Sequence, residues 1–203
     1  MAEDDLEKLL DELAKLLSPY REPVPTYFHR TFEGKPFEAC DFCRKYLLQP
    51  GTYYMINKYY AQGELKQEIA ICKDCLDDLR SSYSKKSMEI MKNIFSEQLI
   101  KTRQTFVRNV QDNRVERLTS RCLICSEEKE KIQEYFEYAF YDGEEIVYYV
   151  YPTMQCGECT NRILKSLSEE TLEIRRNYFH RHFGLPPSGY VVEPVELVML
   201  SAL

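Results

Sequence analysis

Apolar positions along the chain change period several times, and each change marks an element. Over residues 3–17, Leu6, Leu9, Leu10, Leu13, Leu16 and Leu17 recur at steps of three and four. That spacing predicts an amphipathic helix. Asp4, Asp5 and Glu7 lie at its start, where the helix dipole favours acids, and Ser18-Pro19 ends it. A helix this short needs a docking surface to persist in water. It packs on its own protein or binds a partner through Leu6, Leu9, Leu10, Leu13 and Leu17. Residues 19–36 hold Pro19, Pro23, Pro25, Gly34 and Pro36 and read as an extended linker.

The period then shortens. Tyr53 to Tyr60, a turn at Gln62-Gly63 and Leu65 to Ile71 read as a β-hairpin. Tyr135 to Tyr141, a turn at Asp142-Gly143 and Ile146 to Tyr151 read as a second. Tyrosines suit half-buried strands, so strand packing accounts for them better than ligand stacking. Behind each hairpin the pattern turns helical, at Cys75 to Arg80 and at Cys159 to Leu164. Ser84 and Ser168 then stand as N-caps of two further helices. Met88, Met91, Phe95, Leu99, Phe106 and Val110 form the apolar stripe of the first, and Leu172, Phe179 and Phe183 that of the second. The tail from Val191 to Leu200 is apolar but broken by Pro194, which argues against a central strand.

The chemistry lies in the cysteines. All eight belong to a C-x-x-C: Cys40/Cys43, Cys72/Cys75, Cys122/Cys125 and Cys156/Cys159. Two intervening residues let both sulfurs of a pair reach one ion, and two pairs complete a tetrahedral four-cysteine site. Between Cys43 and Cys72 lie 28 residues, and between Cys125 and Cys156 lie 30, against 46 between Cys75 and Cys122. The spacing therefore assigns one site to each half, holding two Zn2+ in all. Iron is the less favoured alternative, since soft thiolate donors do not by themselves separate the two metals.

The second half repeats the first. When Cys72 is set on Cys156 without gaps, Ser82/Ser166, Ser84/Ser168, Glu89/Glu173, Ile90/Ile174, Asn93/Asn177 and Phe95/Phe179 coincide. These matches share one register with the second cysteine pair, and with the common order of knuckle, hairpin and helices they indicate duplication of one module. The expected class is α+β: two zinc modules at 37–110 and 119–184, an N-terminal helix at 1–18, linkers at 19–36 and 111–118, and a tail at 185–203.

Knuckle, hairpin, then a cysteine pair opening a helix resembles the treble-clef zinc finger, over residues 37–99 and 119–184. Cys40-Asp41-Phe42-Cys43-Arg44-Lys45 and Ile71-Cys72-Lys73-Asp74-Cys75-Leu76 also resemble the zinc-binding N-terminal domain of the unfoldase ClpX. That resemblance implies dimerisation and the docking of adaptors and substrates. The hairpin here is longer, and no phosphate-binding G-x-x-x-x-G-K-[ST] follows.

Charge narrows the function. With 33 acidic and 27 basic residues the net charge is -6, and eight thiolates with two dications bring it to about -10. That opposes bulk nucleic-acid binding. A local basic strip keeps a nucleic-acid alternative open: Arg103, Arg108, Arg114 and Arg117 in one segment, and Arg175, Arg176 and Arg181 with His180 and His182 in another. A third reading is a redox sensor in which thiolate oxidation releases the metal. With four protein thiolates per zinc and no H-E-x-x-H or hairpin histidine, no catalytic constellation stands out. An acidic start and the absence of an apolar run of about 20 residues suggest a cytoplasmic protein outside the membrane. The leading expectation is a non-catalytic, zinc-stabilised adaptor or regulatory factor with a protein partner, and homodimerisation is a further expectation.

Overall fold

The computed structural model describes residues 21–94, 115–147 and 152–183. The leucine-rich stretch 1–18, residues 95–114 with Arg103, Arg108 and Arg114, the return-strand residues 148–151 and the tail 185–203 lie outside them. The described chain is mixed α+β, built on one antiparallel six-stranded sheet. Its strands are β1 (Arg21–Pro23), β2 (Tyr53–Ala61), β3 (Glu64–Cys72), β4 (Glu134–Asp142), β5 (Glu145–Val147) and β6 (Thr153–Cys156). The helices are α1 (Lys73–Ser81), α2 (85–94), α3 (Gly157–Ser166) and α4 (Glu169–Phe183), with a single helical turn at Val115–Leu118. None of the described helices is long and apolar enough to cross a membrane.

Both hairpins form as their turn residues dictate. In the first, Ala61 faces Glu64 across Gln62-Gly63, and both turn residues have positive φ, 55° and 77°. That is the type I′ geometry that matches strand twist. In the second, Asp142 faces Glu145, so the turn residues are Gly143-Glu144, one place later than the sequence pattern suggests. Gly143 is held there by its surroundings. Its φ is +60°, and a Cβ would lie 3.0 Å from the backbone of Gln49 and Pro50.

The halves do not form separate bodies joined by a linker. The sheet runs β1-β5-β4-β2-β3, with β6 also on β4, so β2 of the first half pairs β4 of the second along its whole length. The ladder is centred on Asn57↔Tyr138, and pairs on either side repeat. Tyr54↔Tyr141 is mirrored by Tyr60↔Tyr135, and Met55↔Phe140 by Tyr59↔Phe136. A pseudo-two-fold axis therefore crosses the sheet between β2 and β4. The tyrosines pack as strand residues: Tyr54 stacks on Tyr141 with centroids 5.1 Å apart, Tyr59 on Phe136 at 4.8 Å, and Tyr60 on Tyr135 at 4.9 Å. Each such pair adds about 0.5–1.5 kcal/mol beyond the area it buries.

Residues 19–36 also depart from the linker reading over their described part. β1 pairs β5, and the chain then crosses the sheet, burying Phe28 and Phe37 in the common core. Beyond β1 and a 3-10 turn at Thr26–Phe28 the described part of this segment has no regular structure, but its aromatic side chains anchor it. Phe28 meets Tyr141 edge-on. Tyr27 donates its hydroxyl to both carboxylate oxygens of fully buried Glu137, at 2.8 Å. Lys129 completes that buried pair. On the same sheet face Lys58, directly opposite Glu137, instead pairs Glu68 at 3.2 Å and donates to the carbonyl of His29 at 2.6 Å. Glu137 thus finds its partners outside the sheet, and Lys58 finds one directly opposite on β3 and one at His29, which offsets the desolvation of both.

The second meeting point of the halves is a ring of hydroxyls. Ser84 caps α2 by accepting from the amide of Ser87 at 3.2 Å, and Ser168 caps α4 by accepting from Thr171 at 3.3 Å. The reciprocal bonds cross between halves: the Ser84 amide donates to Thr171 Oγ1 at 3.1 Å, and the Ser168 amide to Ser87 Oγ at 2.9 Å. Within one helix a capping box joins residues three apart. Here it is exchanged between the duplicated helices, and the hydroxyls close a cycle from Ser84 through Ser87, Ser168 and Thr171.

Candidate metal centres

The eight cysteines fall into two groups of four: Cys40, Cys43, Cys72 and Cys75, and Cys122, Cys125, Cys156 and Cys159. Within each group all sulfurs lie within 4.8 Å of one another, and none forms a disulfide.

Local backbone geometry explains the convergence, and it is the same twice. In the first knuckle the amide of Cys40 donates to Lys45 O at 2.9 Å and that of Arg44 to Cys40 O at 2.9 Å. In the second, Cys122 donates to Glu127 O at 2.9 Å and Ser126 to Cys122 O at 2.8 Å. Arg44 and Ser126 accept positive φ, 65° and 63°, to close these turns. Each second pair opens a helix. Cys72 is the extended N-cap residue of α1 and Cys156 that of α3, so Cys75 and Cys159 fall in the first turns. Ligands three apart there share a face, at the positive end of the dipole. The edge of the sheet fixes knuckle to helix: Asp41 N donates to Ala70 O at 2.9 Å, and Leu123 N to Met154 O at 2.7 Å.

The distances fit a tetrahedral ion. Zn–S bonds of about 2.3 Å place the four sulfurs about 3.8 Å apart. Observed separations are 4.0 Å for Cys40–Cys75, 3.5 Å for Cys43–Cys72 and 3.8 Å for Cys125–Cys156. A disulfide would need about 2.05 Å. Backbone amides already point at the sulfurs: Cys72 N to Cys40 Sγ, Cys156 N to Cys122 Sγ and Cys159 N to Cys156 Sγ, each at 3.4 Å.

Electrostatics leads to the same chemistry. A hydrogen bond from Cys72 lowers the Cys40 thiol to about 4, and one from Cys159 lowers Cys122 to about 4. Burial raises Cys75 to about 12 and Cys156 to about 11. The neighbouring thiolates Cys40 and Cys122 push Cys72 and Cys159 up as well, through those same hydrogen bonds. Four thiolates at such spacing need a cation among them. The donor set suits two metal ions of the zinc type, held by protein sulfur alone.

The remaining sequence-predicted residues are scattered. Arg117 is exposed on the helical turn Val115–Leu118, and Arg176 and Arg181 are exposed on α4. Arg175 is fully buried and donates to Tyr83 Oη at 3.0 Å, so it cannot reach an external phosphate. That corrects its place in the basic strip. The reason was present in the spacing: position 175 lies three after Leu172 and four before Phe179, on the apolar stripe. Leu6, Leu9, Leu10, Leu13 and Leu17 lie outside the described residues, as do Arg103, Arg108 and Arg114.

Two contacts to the centres escaped sequence reasoning. Arg162 Nη2 donates to Cys159 Sγ at 3.3 Å. Its position one helical turn after the ligand is a readable signal, and the repeat places Asp78 there in the first half. Tyr178, from α4 of the second half, donates to the carbonyl of Cys75 in the first at 3.1 Å. No local pattern could have revealed that bond. Compared with protein-family models, with curated proteins and with solved structures, the chain finds no match.

Proposed function

We propose that this is a non-catalytic zinc protein of two treble-clef-type units, serving as an adaptor or regulatory factor that docks a protein partner. The observation carrying this reading is the pair of closed four-sulfur shells with tetrahedral spacing. A shell filled by protein thiolates offers a substrate no open position, which suits a structural ion. Knuckle, hairpin and helix follow in that order in each half, in support of the treble-clef assignment.

The partner surface we assign to the first half includes Phe32, which is 97% exposed. Its loop is braced on both sides. Arg30 N donates to Lys35 O at 2.8 Å, Thr31 is bonded to Glu68 at 3.0 Å, and Arg30 pairs Asp41 at 2.9 Å. A large aromatic held out by a rigid loop is a typical interface anchor. Tyr46, in the adjoining knuckle, is also exposed.

Two experiments test the reading. Cys72→Ser is expected to lose one zinc per chain by elemental analysis and to lower the melting temperature; full metal content with an unchanged melting curve would sink the metal assignment. Affinity capture with metal-replete protein and with Phe32→Ser tests the surface. A protein partner retained by the native chain and lost by the variant supports docking. Co-purified nucleic acid, with salt-sensitive mobility shifts and dependence on Arg176 and Arg181, would replace it with the alternative.

A further inference from the structure

We propose that the two metal centres load as one cooperative unit, each stabilised by the half of the chain that does not ligate it. This deepens the reading of both centres as zinc sites and rests on it.

Three independent features cross between the halves, two of them at the ligands. The first is register. Cys72 faces Tyr54 across β3 and β2, and Tyr54 faces Tyr141 of the other half, whose ring stacks on it. Cys156 faces Tyr135 across β6 and β4, and Tyr135 faces Tyr60 of the first half in the same way. Each row of side chains that starts at a ligand therefore ends in the opposite half. The second is helix packing. Phe42, between Cys40 and Cys43, meets Tyr178 at 5.2 Å, Phe179 at 5.5 Å and His182 at 4.7 Å. These residues belong to α4, the helix following the other centre, and Tyr178 also holds the Cys75 carbonyl. The third is the exchanged capping of α2 and α4, where Ser84 Oγ and Ser168 Oγ lie 2.9 Å apart.

The energetic consequence follows from size. The modules at 37–110 and 119–184 have 74 and 66 residues, a size at which a core is marginal unaided. Metal binding energy at such a site is folding energy. The strand and helix that complete one centre are the same elements that the other metal orders. The first ion therefore bears the ordering cost of both halves, and the second meets a formed site. Coupling between sites of this kind is commonly about 5- to 150-fold in affinity.

The test uses the full chain, stripped of metal and titrated with Zn2+ below two equivalents, followed by native mass spectrometry. Cooperative loading gives zero-zinc and two-zinc chains, with the one-zinc species well under the roughly half of chains that equal independent sites give at one equivalent. A second arm measures zinc affinity at the first centre by competition with a chromophoric chelator, in the native chain and in Cys125→Ser/Cys156→Ser. Affinity at the first centre is expected to fall about tenfold or more. Tyr178→Phe, which keeps the ring and every ligand, is expected to raise the one-zinc fraction. A one-zinc species near half of the population, together with unaltered affinity at the first centre, would overturn the proposal. Failure to take up any zinc would overturn the zinc reading itself, which separates the two failures.

Discussion

Replacing Ser168 by Ala tests the interlock of the halves without touching a ligand. The hydroxyl caps α4 by accepting from Thr171 N, and it contacts Ser84 Oγ at 2.9 Å, Ser87 Oγ at 3.2 Å and Thr171 Oγ1 at 3.1 Å. Loss of an N-cap costs about 1 kcal/mol. Ser87 and Thr171 are fully buried, and a buried hydroxyl deprived of a partner costs about 1–3 kcal/mol. Together these put the loss at about 2–4 kcal/mol. The assay is urea unfolding at fixed free zinc, read as a lower midpoint with an unchanged slope. Ser84→Ala is expected to behave alike, and Ser82→Ala, on an exposed residue outside the ring, to change almost nothing. The decisive quantity is the double-mutant coupling of Ser84 with Ser168, expected at about 0.5–2 kcal/mol despite their separation in sequence. Additive effects, or a single-mutant loss below about 0.5 kcal/mol, would refute the exchanged cap.

Three further outcomes follow from the same geometry. Gly143→Ala places a methyl against the Gln49–Pro50 backbone at positive φ, and is expected to destabilise the protein by about 1–3 kcal/mol in thermal unfolding, where Gly51→Ala meets no such backbone. Arg162→Ala removes a donor to Cys159 Sγ; zinc loss from the second centre to a chelator should quicken about tenfold, and loss from the first centre should follow it. Chelation at neutral pH should draw protons from a weakly buffered solution, because Cys40 and Cys122 are lowered, to about 4, while Cys75 and Cys156 are raised, to about 12 and about 11. The two lowered thiols favour the folded metal-free chain above the ordinary thiol range, and that contribution disappears as pH falls through about 4. The raised thiols favour it at neutral pH and lose that contribution as pH rises through their own values. Zinc removal without proton uptake would contradict this electrostatic picture.

How much of this was legible depended on the range of the interaction. The two four-cysteine groups were legible because ligand spacing is a local constraint, and the hairpins because Gln62-Gly63 and Gly143 leave few turn geometries. Ser84 and Ser168 were legible as caps, since a hydroxyl before a helical stripe is a local signal. That the capping is exchanged was not, because the acceptor of each N-cap amide, Thr171 Oγ1 for Ser84 and Ser87 Oγ for Ser168, comes from the other copy of the repeat. The pairing of β2 with β4 was hidden for a related reason. A strand carries no local mark of whether its second edge meets solvent or another strand. Residues 19–36 misled because proline and glycine report the absence of regular structure, and Phe28 and Phe37 show that irregular chain can still be core. Arg175 misled because charge was given more weight than its place on the Leu172–Phe179 stripe.

X-ray absorption at the zinc edge, combined with metal stoichiometry on the purified chain, tests the central claim most directly. The expected result is two zinc ions per chain, each with four sulfur neighbours at about 2.3 Å and no nitrogen or oxygen in the shell. Fewer than two ions, a light-atom ligand, or iron in their place would contradict it.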